Sequence, residues 1–347
     1  MQDATAVTDF DLARLAHYLD IRLGAHDGVF GLTRISGGQS NPTYFLDRGA
    51  DRFVLRKKPA GPILPGAHAI EREFRVLSAL HGTGVPVPRP VLLEENAEAL
   101  GTPFYLMERV EGRVFSDCAL PELTREERAP IYLAMAEALA KLHAIRPEAV
   151  GLADYGKPGN YFERQFNRWG RQWRESPSER IADLDRLANW LGANLPEDDG
   201  ATSIAHGDFR LGNMLFHPTE PRVVAILDWE LSTLGHPLAD LGFCVMPWHS
   251  APDEYGGILG LDRALLGLPE ERDFVRHYYR RAIPTPALQP FHVAFALFRF
   301  AVIFVGIADR ARSGNAAASD AADVAPLARK FAERAWEIIE GKQLFDV

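Results

Sequence analysis

The amino-acid sequence predicts an α+β fold with two lobes, a small one built around β-strands and a larger one that is mainly helical. The chain has 347 residues, which exceeds the length at which a single hydrophobic core usually divides. Short apolar runs typical of strands are concentrated before Gly112, whereas apolar residues at helical spacing dominate after it. We therefore expect one lobe over residues 1–110 and a second over residues 111–347.

The small lobe is expected to begin with a helix over residues 9–23, because Leu12, Leu15 and Leu19 recur on one helical face. A second helix is expected over residues 67–80, after a proline-rich connection that cannot be helical throughout. Strands are predicted for the β-like runs at 30–35, 43–46, 53–56 and 104–110 and near Val91.

Helices are predicted in the larger lobe over residues 123–145, from about Asn160 and over residues 293–307. The first of these has Thr124 followed by Glu127 three residues later, which fits a capping box. The last is the most apolar segment of the chain. It is shorter than a bilayer span and carries Arg299, so we interpret it as a buried helix and expect no transmembrane segment.

Composition and charge favour a cytoplasmic enzyme. The net charge of −9 argues against general affinity for nucleic acid or anionic membranes. Cys118 and Cys244 are too few for a disulfide framework or a zinc site, and the chain begins without a basic-then-apolar signal segment. We expect a monomer or homodimer whose partner is a small molecule, with no nucleic acid and no membrane.

The most informative segment runs from His206 to Glu230 and contains Asp208, Asn213 and Asp228. Each could by itself be a turn or strand-end residue, but together they supply what Mg²⁺-dependent phosphoryl transfer needs. Mg²⁺ prefers hard oxygen ligands, which Asn213 and Asp228 provide. A carboxylate kept off the metal, Asp208, would align a hydroxyl nucleophile and accept its proton.

The run HGDFRLGN followed by ILDWE resembles the aminoglycoside phosphotransferase and choline kinase group of small-molecule kinases. The run FVLRKKPAGPILPGAHAIEREFRVLSAL resembles, more narrowly, the kinase-like domain fused to acyl-CoA dehydrogenases in animals and its free-standing bacterial relatives. The resemblance covers nearly the whole chain. It implies a protein-kinase-like two-lobe fold, with a small antiparallel sheet and one helix in the nucleotide-binding lobe, and ATP and Mg²⁺ as cofactors.

The same resemblance implies a set of nucleotide-binding residues. A loop containing Gly37, Gly38 and Ser40 could contact phosphates through its backbone amides, although a hairpin turn explains the glycines equally well. The run from Phe104 to Val110, which ends in Glu111 and Gly112, resembles the hinge between the two lobes, where the backbone of Glu108 and Val110 is expected to bind adenine.

A cation on the third strand should contact the nucleotide phosphates and pair with a helix carboxylate. Arg56 stands where most relatives have lysine, and a register slip would bring Lys57 or Lys58 there instead. The partner would be Glu71 or Glu73, and the family pattern favours Glu73.

Further roles are expected in the larger lobe. Asp240 and His206 resemble residues that support the catalytic loop. Arg299 lies in an apolar helix where an unpaired guanidinium would be costly, so it needs an anionic or carbonyl partner. It could bind the acceptor together with Arg210 or His292, but we favour an internal salt bridge.

We therefore predict an ATP-dependent phosphotransferase acting on a small-molecule hydroxyl, which the narrower resemblance implies is a hydroxyacyl-CoA or hydroxy acid. The alternatives are an aminoglycoside, choline or sugar kinase, a protein kinase, or a nucleotide-binding pseudokinase. From Leu231 onward the chain has 14 Asp and Glu residues and 12 Lys and Arg residues. This near balance of charge does not favour a polycationic aminoglycoside as acceptor. No activation-segment motif follows Asp228, which weighs against a protein kinase.

Overall fold

The computed structural model describes residues 10–35, 41–60, 69–157, 159–282, 284–312 and 325–341. The chain divides into two compact units. The first contains Met1–Gly112 and Val224–Glu230, and the second contains Arg113–Val223 and Leu231–Val347. The predicted division did not place Val224–Glu230 with the N-terminal residues. Contacts of that segment with the first unit include the hydrogen bond from the amide of Ile226 to the carbonyl of Pro86, at 2.8 Å, and the ion pair of Asp228 with Arg56.

The first unit is built on a five-stranded antiparallel sheet in the order β1-β2-β3-β5-β4. Its strands are β1 Phe30–Arg34, β2 Thr43–Arg48, β3 Asp51–Lys57, β4 Pro90–Glu94 and β5 Phe104–Glu108. Its helices are α1 Leu12–Leu23 and α2 Ile70–Leu80. The predicted α+β fold class is confirmed, and α1 and α2 correspond to the helices expected over residues 9–23 and 67–80, one more than the family resemblance implied.

One apolar core joins α1 to the sheet. Leu15 and Leu19 of α1 are fully buried against Leu46 of β2 and Leu55 of β3. The strands present alternate side chains to this core, as the period of two in a β-strand requires. The core fixes β3, which carries Arg56.

The second unit is mainly helical. Its helices are α3 Arg125–His143, α4 Tyr161–Glu175, α5 Ala182–Ala193, α6 Pro237–Cys244, α7 Arg263–Leu266, α8 Glu271–Tyr279, α9 Pro290–Arg312 and α10 Ala325–Ile339. The short strands β6 Ser203–Ala205 and β9 Thr233–Gly235 pair antiparallel within it. The described residues contain two further short strands, β7 Met214–Phe216 in the second unit and β8 Val223–Ile226, whose last three residues belong to the first unit. The predicted capping box is present at the start of α3, where Glu127 accepts from the amide of Thr124 at 2.9 Å.

Helix α9 forms the centre of the second unit and packs against α10, α6, α5 and α4. It is also, within the part of the chain that the structure describes, the one helix long and apolar enough to cross a bilayer. However, 78% of its most apolar window is buried inside the protein. This burial is typical of a core helix, and it agrees with the buried helix predicted for residues 293–307.

Candidate active site

The catalytic loop, defined here as residues 206–213, follows β6 in the second unit. Its backbone turns sharply at Gly207, which has φ +84°. A Cβ at this position would lie 2.8 Å from the carbonyl oxygen of Leu231, so the close approach and the left-handed conformation both require glycine. The turn places Asp208 on a partly exposed segment next to a buried strand.

Asp240 holds the start of this loop from α6. Its carboxylate accepts from the backbone amides of His206 and Gly207, at 2.6 and 2.9 Å. Burial acts to raise the pKa of Asp240, but the hydrogen bond from His143 and the charges nearby outweigh it and hold this pKa below its usual range. His143 is in turn bonded to the hydroxyl of Tyr278 at 2.8 Å. The loop is thus supported by a series of hydrogen bonds through three buried side chains, Asp240, His143 and Tyr278, each on a different helix.

The side chain of Asp208 is held by two neighbours within the loop. Asn213 donates through Nδ2 to the Asp208 carboxylate at 2.7 Å and to its backbone carbonyl at 2.9 Å. Arg210 Nε lies 3.3 Å from the same carboxylate oxygen. The amide of Asp208 donates to Nδ1 of His206 at 3.2 Å. The sequence-predicted group of His206, Asp208 and Asn213 is therefore assembled, and the carboxylate has a fixed direction.

Arg299 contacts the same loop from α9. Its Nη2 donates to the carbonyl of Gly207. Its guanidinium also lies 5.8 Å from the ring centre of Trp169 and 5.9 Å from that of Phe243. Among the described residues, the hydrogen-bond partner of Arg299 is therefore a backbone carbonyl, and the internal salt bridge that we favoured from the sequence is not found.

In the first unit, Arg56 lies among three carboxylates. Its Nε is 2.9 Å from Glu73 of α2, and its Nη2 is 3.0 Å from Asp228 and 3.5 Å from Glu230. The hydroxyl of Tyr105 donates to the Glu73 carboxylate at 3.0 Å. The structure therefore brings together Arg56, Glu73 and Asp228, which the sequence predicted to be phosphate-binding and metal-binding residues.

Burial and charge act in opposite directions on this cluster. Burial raises the pKa of the Glu73 carboxyl to about 7, although Arg56 and the Tyr105 hydroxyl both favour its ionised form. Burial acts to lower the pKa of Arg56, but the surrounding carboxylates outweigh it, so the pKa of the guanidinium is raised. Arg56 consequently stays charged and can meet an anion.

The alternative cations on β3 have other partners. Lys58 bonds to Glu71, so this pair lies apart from Glu73. Lys57 is buried and lies 5.0 Å from the ring centre of Phe10. Of the two registers considered, the structure therefore corresponds to the one with Arg56 beside Glu73.

The remaining predicted nucleotide contacts are less fully described. Gly37, Gly38 and Ser40 lie outside the described residues. Glu108 ends β5, and its amide already donates to the carbonyl of Arg89 at 2.9 Å. A contact of Glu108 with adenine would therefore use its carbonyl group. Val110 follows two residues beyond the end of the strand.

Asp228 has an unusual backbone conformation, with φ +63° in a residue that has a side chain. Aspartate tolerates this left-handed region better than most residues, but the conformation still costs free energy. The conformation follows directly after β8, and the carboxylate bonds to Arg56. Within the described residues, no group of three or more His, Cys, Asp or Glu side chains is placed to hold a metal ion.

An apolar cavity of about 70 Å³ lies in the second unit directly behind the catalytic loop. Arg210 reaches its wall, and both cysteines border it. Burial raises the pKa of the Cys118 thiol to about 11 and that of Cys244 well above its usual value, so neither is a ready nucleophile. The apolar lining comes from four helices and includes Met135, Phe243, Phe300 and Phe331.

The sequence did not predict this cavity, because its lining residues lie as far apart as Ser116 and Phe331, and apolar ones such as Met135 and Phe300 look like ordinary core residues of helices. Only the HGDFRLGN motif pointed to the region, through Arg210. Cys244, whose thiol donates to the carbonyl of Phe209, had no sequence signal beyond its rarity.

Fold and site together define a kinase-like phosphotransferase. Residues 31–274 match the family described as the phosphotransferase enzyme family. The chain belongs to this family.

Relatives and solved structures agree with that assignment. A protein from Ralstonia eutropha JMP134, provisionally named an aminoglycoside phosphotransferase, is 44% identical with a TM-score of 0.86, covering 95% of this chain and 98% of that one. Spectinomycin phosphotransferase, solved with ADP and spectinomycin, has a TM-score of 0.64 over 96% of this chain and 100% of its own, but at 12% identity it shows the fold alone.

Two curated relatives are acyl-CoA dehydrogenase family members. Member 10 of Mus musculus is 40% identical over 338 residues, and member 11 of Gallus gallus is 41% identical over 317 residues. These matches cover 95% and 90% of this chain but only 31% and 40% of the relatives. The chain thus spans about a third to two fifths of the length of these proteins.

Proposed function

We propose that this chain transfers the γ-phosphoryl group of ATP to a hydroxyl of a small molecule, with Mg²⁺ as cofactor. The observation that carries the proposal is the fixed carboxylate of Asp208, held by Asn213 on a loop braced by Asp240. Family membership and solved relatives with ADP or an ATP analogue support the nucleotide.

Asp208 would act on the acceptor hydroxyl. Its carboxylate accepts the hydroxyl hydrogen bond, aligns the oxygen with the γ-phosphorus and takes the proton as the new P–O bond forms. The bond from the γ-phosphorus to the bridging oxygen of ADP breaks in the same displacement. Holding the reactants in line is the main source of rate, because little covalent chemistry falls to the protein.

The available donors fit Mg²⁺. Asn213 turns its amide nitrogen to Asp208, which leaves its carbonyl oxygen as a neutral hard ligand, and Asp228 supplies a partly exposed carboxylate. One or two protein oxygens are what Mg²⁺ usually takes when phosphates complete its shell. When bound, the ion would neutralise charge on the phosphates.

The apolar cavity supports an acceptor with an aliphatic part. Its lining has no carboxylate, and Arg210 is the charged residue among the lining side chains. A polycationic sugar would gain nothing there, whereas a hydroxylated acyl group with a carboxylate or thioester fits an arginine beside an apolar wall. We therefore propose a hydroxyacyl-CoA or hydroxy acid as acceptor, consistent with the acyl-CoA dehydrogenase names of the curated relatives.

The test is ATP consumption with Mg²⁺ over a panel of hydroxyacyl-CoAs, hydroxy acids, amino alcohols, sugars and aminoglycosides, with mass spectrometry of products. We expect a phosphorylated hydroxyacyl product with the wild type and at least a 100-fold loss in Asp208→Asn, which keeps the shape of the side chain but not its basicity. A phosphorylated aminoglycoside or sugar would overturn the acceptor proposal. Near wild-type turnover by Asp208→Asn would overturn the role of Asp208.

A second candidate, nucleotide binding without turnover, is favoured by one observation. The kinase scheme has a lysine at this place on the third strand, whereas Arg56 here already binds the carboxylate of Asp228 through its guanidinium at 3.0 Å. If that pair persists with nucleotide, Asp228 is less available to a metal. ATP-dependent thermal stabilisation without any product across the panel would support this alternative.

A further inference from the structure

We infer that Arg299 is a positioning residue that sets the direction of the Asp208 carboxylate by fixing the peptide group before it. The inference rests on the proposed function, since it assigns Arg299 to the reaction that Asp208 would perform. It differs from both interpretations made from the sequence, which were an internal salt bridge and acceptor binding.

The peptide group between Gly207 and Asp208 is held at both of its polar ends. Its carbonyl accepts from Arg299, and its amide donates to Nδ1 of His206 at 3.2 Å. The rotation of this peptide plane sets the backbone torsion of Asp208 and therefore the direction of its Cα–Cβ bond. Gly207 has no Cβ to restrict the plane and has φ +84°, so external hydrogen bonds must do so.

A charge-assisted hydrogen bond is well suited to holding the peptide group between Gly207 and Asp208 in one orientation. A guanidinium donates more strongly to a carbonyl than a neutral group does. Arg299 is confined by the rings of Trp169 and Phe243, on α4 and at the end of α6, so its side chain has little freedom to follow a moving loop. The hydrogen bond therefore ties the loop to a fixed point on α9.

Helix α9 packs directly against α6, the helix that carries Asp240. Asp240, which holds the amides of His206 and Gly207, lies on α6. The two helices approach so closely at Gly242 that a Cβ there would lie 2.7 Å from the carbonyl of His292. Asp240 and Arg299 thus hold the same turn from two helices in direct contact. An acceptor contact would compete with this arrangement, because Arg299 would have to leave the carbonyl.

The experiment compares Arg299→Met, which removes the donor and keeps much of the aliphatic volume, with Arg299→Lys, which keeps the charge. Arg312→Met is the matched control, because Arg312 lies on the same helix but bonds to Asp309 and Ser178. Hydrogen exchange of the peptide covering residues 206–213 is measured first, since it reports on the brace whether or not a substrate is known. Steady-state kinetics follow with the acceptor identified for the wild type.

We expect faster exchange confined to residues 206–213 in Arg299→Met, a fall in kcat of about 100-fold, and changes of less than about threefold in KM for ATP and acceptor. Arg299→Lys should recover part of kcat, and Arg312→Met should match the wild type. Unchanged exchange would overturn the inference. A raised KM for the acceptor with unchanged kcat would also overturn the inference, and it would indicate that Arg299 binds the acceptor.

The same design separates the inference from the proposed function. Faster exchange in Arg299→Met together with no phosphorylated product from the wild type would support the brace and count against the proposed reaction. Normal turnover by the wild type together with unchanged exchange in Arg299→Met would support the proposed reaction and overturn the role of Arg299.

Discussion

At the scale of single residues, the guanidinium of Arg56 is shared among three carboxylates of the first unit. It reaches Glu73 through Nε and Asp228 through Nη2, which a forked cation can do and a single ammonium cannot do with the same geometry. This difference between arginine and lysine has a structural consequence that can be tested without a substrate.

Arg56→Lys should lower the free energy of unfolding by about 1 to 3 kcal/mol, because one charge-assisted contact to a buried or half-buried carboxylate is lost. The control is Arg52→Lys on the same strand, where the arginine is 63% exposed and pairs with an equally exposed Glu111. That control should change stability by less than about 0.5 kcal/mol. Chemical denaturation followed by circular dichroism measures both, and equal effects would contradict the shared-guanidinium interpretation.

Asp228 combines a charge with a left-handed backbone, and two substitutions separate these properties. Asp228→Asn removes the charge but tolerates φ +63°, whereas Asp228→Ala removes the charge and is strained there. We expect the alanine variant to be about 1 kcal/mol less stable than the asparagine variant. Thermal or chemical unfolding of the two side by side decides the matter, and equal stabilities would show that the backbone has relaxed.

At the scale of elements, the approach of α6 and α9 at Gly242 determines where Asp240 and Arg299 meet the catalytic loop. A Cβ at Gly242 would meet backbone atoms of His292, which cannot move without shifting α9. A buried glycine on another helix, Gly170 of α4, offers the contrast. There the nearest atom to a new Cβ is Nη1 of Arg174, the far end of a flexible side chain, at 3.2 Å.

Gly242→Ala should therefore destabilise the protein by about 1 to 3 kcal/mol through overpacking. Gly170→Ala should be neutral or stabilising by up to about 1 kcal/mol, because alanine has the higher helix propensity. Unfolding midpoints in urea compare the two variants. If Gly242→Ala proved as mild as Gly170→Ala, the close approach of the two helices would not be a rigid constraint.

At the scale of the whole molecule, two buried titratable groups should give stability opposite dependences on pH. The pKa of Glu73 in the first unit is raised from 4.5 to about 7 by burial. The pKa of His292 in the second unit is lowered from 6.5 to about 4, mainly by burial and further by the nearby His236. Each group binds protons differently in the folded and unfolded chain, and the sign follows from which state binds more.

For Glu73, the folded protein binds more protons than the unfolded chain between pH 4.5 and about 7. The contribution of Glu73 to stability is therefore fully present below pH 4.5 and is lost as the pH rises to about 7, with a slope of at most about 1.4 kcal/mol per pH unit. Glu73→Gln should remove this slope. Unfolding free energies measured from pH 5 to 8 in the variant and the wild type test it, and parallel curves would mean that the pKa of Glu73 is not raised.

For His292, the folded protein binds fewer protons than the unfolded chain between about pH 4 and 6.5. Stability should fall as the pH is lowered through this interval, because folding must exclude the proton that the unfolded imidazole would bind. His292→Asn, which can still accept from the amide of Gln289, should flatten the acid side of the profile. Glu73→Gln serves as its control, since the two variants should change the slope in opposite directions.

Local features of this protein could be predicted from the sequence with good accuracy. The capping box of Thr124 and Glu127, the helix around Arg299 and the strand that carries Arg56 all depend on residues within a few positions of one another. The contact between Asp208 and Asn213 belongs to the same class, because five residues separate them along the chain. Short-range spacing and side-chain chemistry suffice for such features, and the family resemblance supplied the fold class.

Long-range partners required the tertiary structure. Arg299 meets the carbonyl of Gly207 across 92 positions, and Arg56 meets Asp228 across 172. The sequence by itself determined that a guanidinium in an apolar helix needs a partner, but not which one, because many carbonyl and carboxylate groups could satisfy it. Only the packing of α6 against α9, and the position of the segment after β8 beside β3, decide which groups approach within hydrogen-bond distance, since such contacts depend on the position of every element between them.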